Sequence, residues 1–329
     1  MSLPALLSRY RGLITASLEE VLQNEGLLYT MLRYHVGLES EHGSQSSPAG
    51  KFLRPNLVLF TTEQLGGEVN HALPAALGLE LIHNFSLIHD DVQDGDRTRR
   101  GRPTVWSRYG VAQAINAGDL MQALAIGQIL RIGQDASEIL LQATIEMIEG
   151  QGLDLDAEEK TAGVDSYLDM IDKKTGSLIR CALRLGAVIA AAPAEVEEAL
   201  AKAGQELGRA FQIRDDLLGV WGDGAVTGKP QGTDIRRKKK TLPAAIALST
   251  ASGADRSALE HIYNKNTVTD EDVTRVIEIM DAIGVQQRGE QMVIEYLNRA
   301  REWLAHVPFS NGGITEMEEL MKYLAKRDR

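Results

Sequence analysis

The first residues that could carry chemistry form an aspartate cluster at positions 90–94, DDVQD, which follows the apolar residues Leu87 and Ile88 after one histidine. Asp90 and Asp94 are four residues apart, so on a helix they project from the same face. Like charges at that spacing repel each other mildly. A hard cation between them would make the arrangement favourable, because Mg²⁺ prefers carboxylate, phosphate and water oxygens. Taken alone, the cluster fits a solvated acidic helix end equally well.

A second aspartate pair, Asp215 and Asp216, follows another apolar stretch that contains Phe211 and Ile213. This pair alone is again ambiguous between a metal site and a solvated helix end. Two such pairs, each near the end of an apolar helix, are hard to explain as solvent-exposed surface charges. Carboxylates on facing helices close metal sites in the cores of helix bundles, so the two pairs together predict one.

Basic residues follow the acidic ones along the chain. The clusters are Lys51 and Arg54; Arg97, Arg99, Arg100 and Arg102; Lys229; and Arg236 to Lys240. Arginine binds phosphate through a planar two-pronged contact, and lysine supplies a compact charge. Metal-binding carboxylates beside such clusters indicate a polyanionic ligand, most simply a diphosphate. We expect Arg237 and Lys238 to belong to a solvated charge run instead. His83 and His89 fit either a packed structural role or, for His83, a phosphate donor.

The composition narrows the function classes. With 35 Lys and Arg against 46 Asp and Glu, the formal net charge is −11, which disfavours a general nucleic-acid binder. The single cysteine, Cys181, excludes an intramolecular disulfide and a cysteine-based zinc site, and we expect it to be buried. No signal peptide is visible, and the longest apolar run, at 185–193, is too short to span a bilayer. We therefore expect a cytoplasmic protein without stable membrane insertion.

The elements that must position these residues are helices. Alanine and leucine are abundant, aromatic residues make up only 5%, and no alternating run is long enough to predict a strand. We predict one all-α domain over 1–329, with Pro55 in the first turn of a helix. Polar or glycine-rich loops are expected at 38–50, 95–103 and 222–240. Helical stretches are predicted at 5–36, 74–94, 111–132, 135–152, 164–192, 194–221, 242–250, 270–282, 284–305 and 315–326.

The order of short motifs resembles the trans-isoprenyl diphosphate synthases, the polyprenyl synthetase family, over nearly the whole chain. The motifs are Gly50-Lys51-x-x-Arg54-Pro55; Leu81-Ile82-His83-x-x-Ser86-Leu87-Ile88-His89-Asp90-Asp91-x-x-Asp94; Arg99-Arg100-Gly101-x-Pro103-Thr104; Ala117-Gly118-Asp119; Lys174-Thr175-Gly176; Phe211-Gln212-x-x-Asp215-Asp216; Gly228-Lys229-Pro230; and Lys239-x-Thr241-Leu242-Pro243. Each motif is modest evidence, whereas their common order is specific.

The resemblance implies the isoprenoid synthase fold, a bundle of about ten or more helices around a central cavity. It implies that Asp90 and Asp94 bind Mg²⁺ from one side and Asp215 from the other, with Asp91 and Asp216 in support. The diphosphate of an allylic substrate would be held by Arg99, Lys174, Lys229 and Lys239. The diphosphate of isopentenyl diphosphate would be held by Lys51, Arg54, His83 and Arg100. Thr175 and Gln212 would lie near the developing cation.

The second aspartate motif departs from the family pattern DDxxD, because Gly219 replaces its last carboxylate. The first aspartate of that motif is the expected main ligand, so we expect activity to survive with a weakened third metal site. The resemblance also assigns Phe85 and Ser86 to the floor of the substrate-tail pocket. On an ideal helix, Phe85 would lie ~7–8 Å below Asp90, where an aromatic ring should stop elongation early.

This combination resembles that of synthases that make geranylgeranyl diphosphate; farnesyl diphosphate is the next choice of product, and a longer chain is the third. Two alternatives belong to other classes. A class I terpene cyclase would not need the second diphosphate site made by Lys51, Arg54 and Arg100. A non-catalytic subunit of a heteromeric synthase would have lost carboxylates that this chain retains. The family resemblance also implies a homodimer, and the apolar helix surface near residues 111–130 could provide its interface.

Overall fold

The computed structural model describes residues 3–39, 50–159, 163–222 and 231–326. These residues form an all-α bundle, as predicted. The elements are α1 (Ala5–Arg9), α2 (Arg11–Val21), α3 (Leu27–Val36), α4 (Leu53–Gln64), α5 (Val69–Gln93), β1 (Thr98–Arg99), β2 (Arg102–Pro103), α6 (Val105–Tyr109), α7 (Val111–Ile129), α8 (Gln134–Glu159), α9 (Val164–Ile171), a π-helical turn (Asp172–Gly176), α10 (Ser177–Ile189), α11 (Ala194–Trp221), α12 (Thr233–Arg236), α13 (Leu242–Thr250), α14 (Gly253–Tyr263), α15 (Asp270–Ala282), α16 (Val285–Leu304) and α17 (Asn311–Lys326).

Helix α5 is the centre of the bundle and packs against α4, α7 and α10. The predicted apolar side of this helix is buried, at Leu77, Leu81, Phe85 and Ile88. Its other sides are buried as well over most of its length, which is typical of a helix surrounded by neighbours rather than lying on a surface. Helix α11 packs against α10 and α16, and it carries the second aspartate pair near its C-terminal end.

Several boundaries differ from the sequence prediction. Helix α5 begins at Val69 and contains Pro74, whereas the prediction began the helix at the proline. Proline favours a first helical turn but does not forbid an earlier start. Helices α6 and α14 were missed, because one is short and the other has a weakly apolar sequence. The predicted continuous helix over 164–192 is interrupted by the π-helical turn.

The local predictions for Pro55 and Cys181 are confirmed. Pro55 lies at the third position of α4, inside its first turn. Cys181 is fully buried in α10, and burial raises the pKa of its thiol to about 12. Of the segment 222–240, the structure describes residue 222 and residues 231–240, which include the short helix α12. None of the helices in the described ranges is long and apolar enough to cross a membrane.

Candidate active site

A cavity of about 670 Å³ lies between the C-terminal half of α5, the start of α10 and the C-terminal half of α11. It collects most of the residues that the sequence singled out. Those on its wall are Arg54, His83, Phe85, Ser86, Asp90, Asp94, Arg99, Arg100, Lys174, Thr175, Gln212, Asp215 and Lys239. The two aspartate motifs, 125 residues apart in the chain, therefore meet at one site. A neighbouring cavity of about 390 Å³ shares Lys174, Gln212, Asp215 and Lys239 and adds Asp216.

The first acidic group stands at the end of α5. Asp90 lies in the last turn, and Asp94 caps the helix by donating its backbone N–H to the Asp90 carbonyl at 2.8 Å. Burial raises the pKa of Asp90, while Lys174 opposes that shift. Burial also acts to raise the pKa of Asp94, but the adjacent Lys239 ammonium outweighs it and the pKa is lowered. The Lys239 Nζ lies 2.9 Å from the Asp94 Oδ2.

Asp91 points away from the larger cavity and is buried behind it. Its Oδ1 accepts a hydrogen bond from the Arg99 Nε at 2.8 Å, and its Oδ2 has no partner among the described residues. Burial raises the pKa of Asp91 to about 6, although the Arg99 guanidinium opposes the shift. This position fits a supporting role, in which Asp91 orients an arginine of the cavity wall.

Asp216 is likewise buried and held by the protein. The Tyr167 hydroxyl donates to its Oδ2 at 2.6 Å, and the Leu242 backbone N–H donates to the same oxygen at 3.0 Å. The Gln212 Nε2 donates to its Oδ1 at 2.9 Å. Burial raises the pKa of Asp216 to about 7 despite these donors. The pair on α11 is thus divided, with Asp215 on the cavity wall and Asp216 fixing the helix and the start of α13.

The π-helical turn positions Lys174 and Thr175. The backbone of this turn packs closely against α8 on one side and α11 on the other. A Cβ at Gly150 of α8 would lie 2.2 Å from the Lys174 N, and a Cβ at Gly208 of α11 would lie 2.6 Å from the Gly176 Cα. Only glycine permits both approaches. Single π-helical turns are frequent at functional sites. This turn places a lysine and a threonine side by side on the cavity wall.

Lys174 and Thr175 bind residues of neighbouring elements. The Lys174 Nζ lies 2.5 Å from the Asp154 Oδ2. Burial acts to lower the pKa of Lys174, but the charges of Asp154 and Asp90 outweigh it and raise the pKa. The Thr175 hydroxyl donates to the Gln212 Oε1 at 2.7 Å. Thr175, Gln212 and Asp216 therefore form one continuous hydrogen-bonded chain.

Arg54, His83 and Arg100 also line the cavity. Arg54 is buried in α4, and its Nε has no partner within the described ranges. Burial lowers the pKa of Arg54 to about 10, against the pull of Glu80 and Asp215. Burial and the nearby arginines also lower the pKa of His83 well below its ordinary value, so the imidazole is neutral at pH 7. A buried guanidinium beside a neutral imidazole is suited to hold an anion.

Arg100 occupies the turn between β1 and β2. Its φ of 52° and the φ of 75° at Gly101 form the two left-handed positions that a tight hairpin requires. A non-glycine residue in that region is strained, and such strain clusters at functional sites. The hairpin that replaces the predicted loop therefore aims an arginine at the cavity.

Among the predicted site residues that the structure describes, Lys51 and Asp91 line neither of the two cavities. Lys51 is exposed, with its Nζ 5.3 Å from the ring centre of Tyr323 in α17. Lys229 lies outside the described residues. Phe85 and Ser86 do line the cavity, and the Phe85 ring meets the His89 ring edge to face with centroids 5.2 Å apart.

One expectation about the basic run is wrong. Arg237 is not a solvated charge, because its Nη2 lies 2.7 Å from the Asp96 Oδ1 and donates to the Asp94 carbonyl at 3.3 Å. Lys238 is also engaged, through a hydrogen bond of its Nζ to the Lys265 carbonyl at 2.9 Å. The basic run therefore packs against the C-terminal end of α5 through Arg237. This contact joins segments that are distant in sequence, so no local sequence pattern could predict it.

Sequence reasoning missed several residues around the site. Asp154 pairs with Lys174, Tyr167 donates to Asp216, and Asp234 lines both cavities. No sequence pattern indicated Asp154, because its place beside Lys174 depends on the packing of α8 against the π-helical turn. No sequence pattern indicated Tyr167 either, because a tyrosine on the apolar face of a helix is usually a residue of the hydrophobic core.

The donor set fits Mg²⁺. Asp90, Asp94 and Asp215 present carboxylate oxygens to one cavity, and hard cations prefer such oxygens. Across the described parts of the chain, no three acidic, histidine or cysteine side chains converge tightly enough to hold an ion by themselves. Substrate phosphate oxygens and water would have to complete the coordination, which is how Mg²⁺ is usually bound at phosphate sites.

Comparison with known proteins identifies the class. The polyprenyl synthetase family model matches residues 40–280, and the chain belongs to that family. The chain is 34% identical to a (2E,6E)-farnesyl diphosphate synthase of Mycobacterium tuberculosis, over 96% of this chain and 90% of that one. It is 39% identical to a geranylgeranyl diphosphate synthase of the same organism, over 78% and 75%. The protein is therefore a trans-prenyltransferase of the short-chain isoprenyl diphosphate synthase class.

The fold agrees with a solved structure of this class. A geranylgeranyl pyrophosphate synthase from Corynebacterium glutamicum, complexed with isoprenyl diphosphate and magnesium, superposes with a TM-score of 0.83 at 28% identity. The match covers 99% of this chain and all of that one. The isoprenoid synthase fold predicted from the motifs is confirmed.

Proposed function

We propose that this chain catalyses the Mg²⁺-dependent head-to-tail condensation of isopentenyl diphosphate with an allylic diphosphate. The observation that carries the proposal is one cavity whose wall combines two kinds of charged group. Asp90, Asp94 and Asp215 supply carboxylates, and the buried Arg54 and the neutral His83 supply donors for an anion. A single diphosphate needs one such group, whereas a condensation of two diphosphates needs both.

The carboxylates Asp90, Asp94 and Asp215 would hold the allylic diphosphate through bound metal. Bound Mg²⁺ would neutralise the charge that develops on this leaving group. Lys174 and Lys239 add positive charge on the same wall, next to Asp90 and Asp94. Charges fixed before the reaction stabilise a leaving group without the cost of reorganisation.

The remaining wall serves the carbocation. Gln212 and Thr175 line the cavity and are joined by a hydrogen bond, and we expect their oxygen dipoles to face the positive charge. Phe85, Leu178 and Phe211 contribute apolar side chains to the same wall. Excluding water protects a cation from being quenched. No residue is required as a nucleophile, because the attacking electrons come from the double bond of isopentenyl diphosphate.

The experiment is product analysis with the purified chain, Mg²⁺ and isopentenyl diphosphate, using dimethylallyl, geranyl or farnesyl diphosphate as primer. We expect a longer prenyl diphosphate that forms only when both substrates and the metal are present. A hydrocarbon formed without isopentenyl diphosphate would identify a terpene cyclase. No product with any primer would identify a subunit that needs a partner.

For the product, we propose geranylgeranyl diphosphate. Phe85 is buried on the cavity wall one and a half helical turns before Asp90, so its ring can limit the tail pocket. We expect Phe85→Ala to lengthen the product in chromatography, whereas Phe85→Tyr, which keeps the ring, should not. An unchanged product distribution with Phe85→Ala would show that Phe85 is not the floor. Farnesyl diphosphate is the second candidate, because the farnesyl relative matches more of the chain.

We also propose that the protein is a homodimer. Helices α7 and α8 expose a set of large apolar side chains: Val111, Ile115 and Ile126 on α7, Leu130 directly after it, and Leu141, Ile145, Ile148 and Leu153 on α8. Apolar patches of this kind mark association surfaces. We expect light scattering to give twice the chain mass, and Ile145→Glu to shift it toward the monomer. A monomeric wild-type protein would contradict the proposal.

A further inference from the structure

The space beside Gly219 of α11 is filled by the carboxylate of a residue from another segment, Asp234. Residue 219 lies one helical turn after Asp215, on the same side of the helix. It is glycine, and a Cβ placed there would lie 2.0 Å from the Asp234 Oδ2 and 2.5 Å from the Asp234 Cγ. Both distances are far inside van der Waals contact. The Asp234 carboxylate therefore sits in the space that any other residue at 219 would occupy.

The backbone holds Asp234 in this position. The Gly232 N–H donates to the Val220 carbonyl at 3.2 Å, which attaches the segment to the residue next to Gly219. The Lys239 N–H donates to the Asp234 carbonyl at 2.9 Å. The side chain of the same lysine reaches Asp94, which also lines the larger cavity. Asp234 is thus built into the segment that connects the two acidic groups.

Asp234 also faces the site. It lines the larger cavity together with Asp90, Asp94 and Asp215, and it lines the smaller one with Asp215 and Asp216. A carboxylate in this place offers oxygens to a hard cation or to the water bound to it.

We propose that Asp234 supplies the carboxylate that the second aspartate motif lacks, and that Gly219 is glycine in order to admit it. The inference rests on the proposed metal-dependent function, and it predicts a third metal site that is not weakened, unlike the expectation from Gly219 alone. The proposal predicts that two different substitutions have the same effect, the loss of this carboxylate from the site. Asp234→Asn removes the charge, and Gly219→Ala displaces the carboxylate by sterics alone.

The test measures metal binding rather than turnover. Electron paramagnetic resonance counts free Mn²⁺ during titration of the protein in the presence of inorganic diphosphate. We expect Asp234→Asn and Gly219→Ala each to weaken Mn²⁺ binding by about 10–100-fold, the usual effect of losing a supporting group at a metal site. Alanine favours helix more than glycine does, so helix propensity cannot explain a loss at 219.

Matched controls lie elsewhere in the chain. Gly12→Ala in α2 makes the same change where a Cβ meets nothing within 4 Å, and Asp135→Asn neutralises an exposed carboxylate in α8. Both should bind Mn²⁺ as the wild type does. The double variant Gly219→Asp/Asp234→Gly returns the carboxylate to the helix, and we expect it to recover binding to within several-fold of the wild type.

The outcomes separate this inference from the proposed function. Wild-type Mn²⁺ affinity in Asp234→Asn, combined with lost affinity in Asp90→Asn, would overturn the role of Asp234 and leave the proposed function standing. Absence of diphosphate-dependent Mn²⁺ binding in the wild type would overturn the proposed function itself. Should Gly219→Ala fail to fold by circular dichroism, the near-isosteric Asp234→Asn decides the question alone.

Discussion

The two acidic groups, Asp90 to Asp94 on α5 and Asp215 with Asp216 on α11, hold their buried aspartates in different ways. In each, the first aspartate faces the cavity and the second is buried behind it. Asp91 is held by a cation, Arg99, whereas Asp216 is held by the neutral donors Tyr167, Gln212 and the Leu242 N–H. Burial raises the pKa of both carboxyls, to about 6 for Asp91, where the Arg99 guanidinium opposes the shift, and to about 7 for Asp216, where only neutral donors oppose it.

The difference concerns how each helix end is tied to its surroundings. The first group is tied by ion pairs, from Asp91 to Arg99 and from Asp94 to Lys239. The second is tied by hydrogen bonds that join α11 to α9 and α13. Changes of charge should therefore perturb the first group more, and changes of hydrogen-bond geometry the second.

The largest effect is expected on the cavity-facing residue of the first group. Asp90→Ala should reduce condensation by at least ~10²–10³-fold, because it removes a ligand for the charge that stabilises the leaving group. Steady-state turnover measures this, with Asp135→Ala as the exposed control. Near-normal turnover in a folded Asp90→Ala variant would sink the metal assignment.

A smaller effect should distinguish the two buried aspartates at pH 7. Asp91 is largely ionised there, so Asp91→Asn removes a charged hydrogen bond to Arg99 and should cost about 1.5–3 kcal/mol of unfolding free energy. Asp216 is already partly protonated, so Asp216→Asn resembles the native state and should cost less. Denaturant unfolding of the two variants checks the order. Equal costs would mean that the charge of Arg99 makes no difference.

The smallest effect is a dependence on pH in the metal-free protein. The pKa of Asp216 is raised from 3.8 to about 7, so the folded chain binds this proton more tightly than the unfolded chain. The stability that this gives is fully present below the unfolded pKa and is lost as pH rises through about 7. Between about pH 5.5 and about pH 8, Asp216→Asn should lose less of its Tm than the wild type, by on the order of a few degrees. Parallel losses in both proteins would contradict the assignment to Asp216.

Local signals in the sequence predicted most of the long helices. The spans of α11, α13 and α15 agree with the structure, because each combines helical apolar spacing with a clear end such as Pro193 or Thr269. The π-helical turn at Lys174 could not be predicted in this way. It depends on the close approach of Gly150 and Gly208, which lie on helices before and after it.

The sequence by itself determined the class of the protein, since the order of the aspartate and basic motifs already indicated a diphosphate chemistry. It also determined the all-α architecture through composition and helical spacing. Only the tertiary structure decided which aspartates face the cavity, that Arg237 reaches Asp94, and that Asp234 fills the space at Gly219. These facts depend on contacts between segments that the chain brings together from afar. Helical periodicity reports which side of a helix is apolar, but not which side chain of another segment meets it.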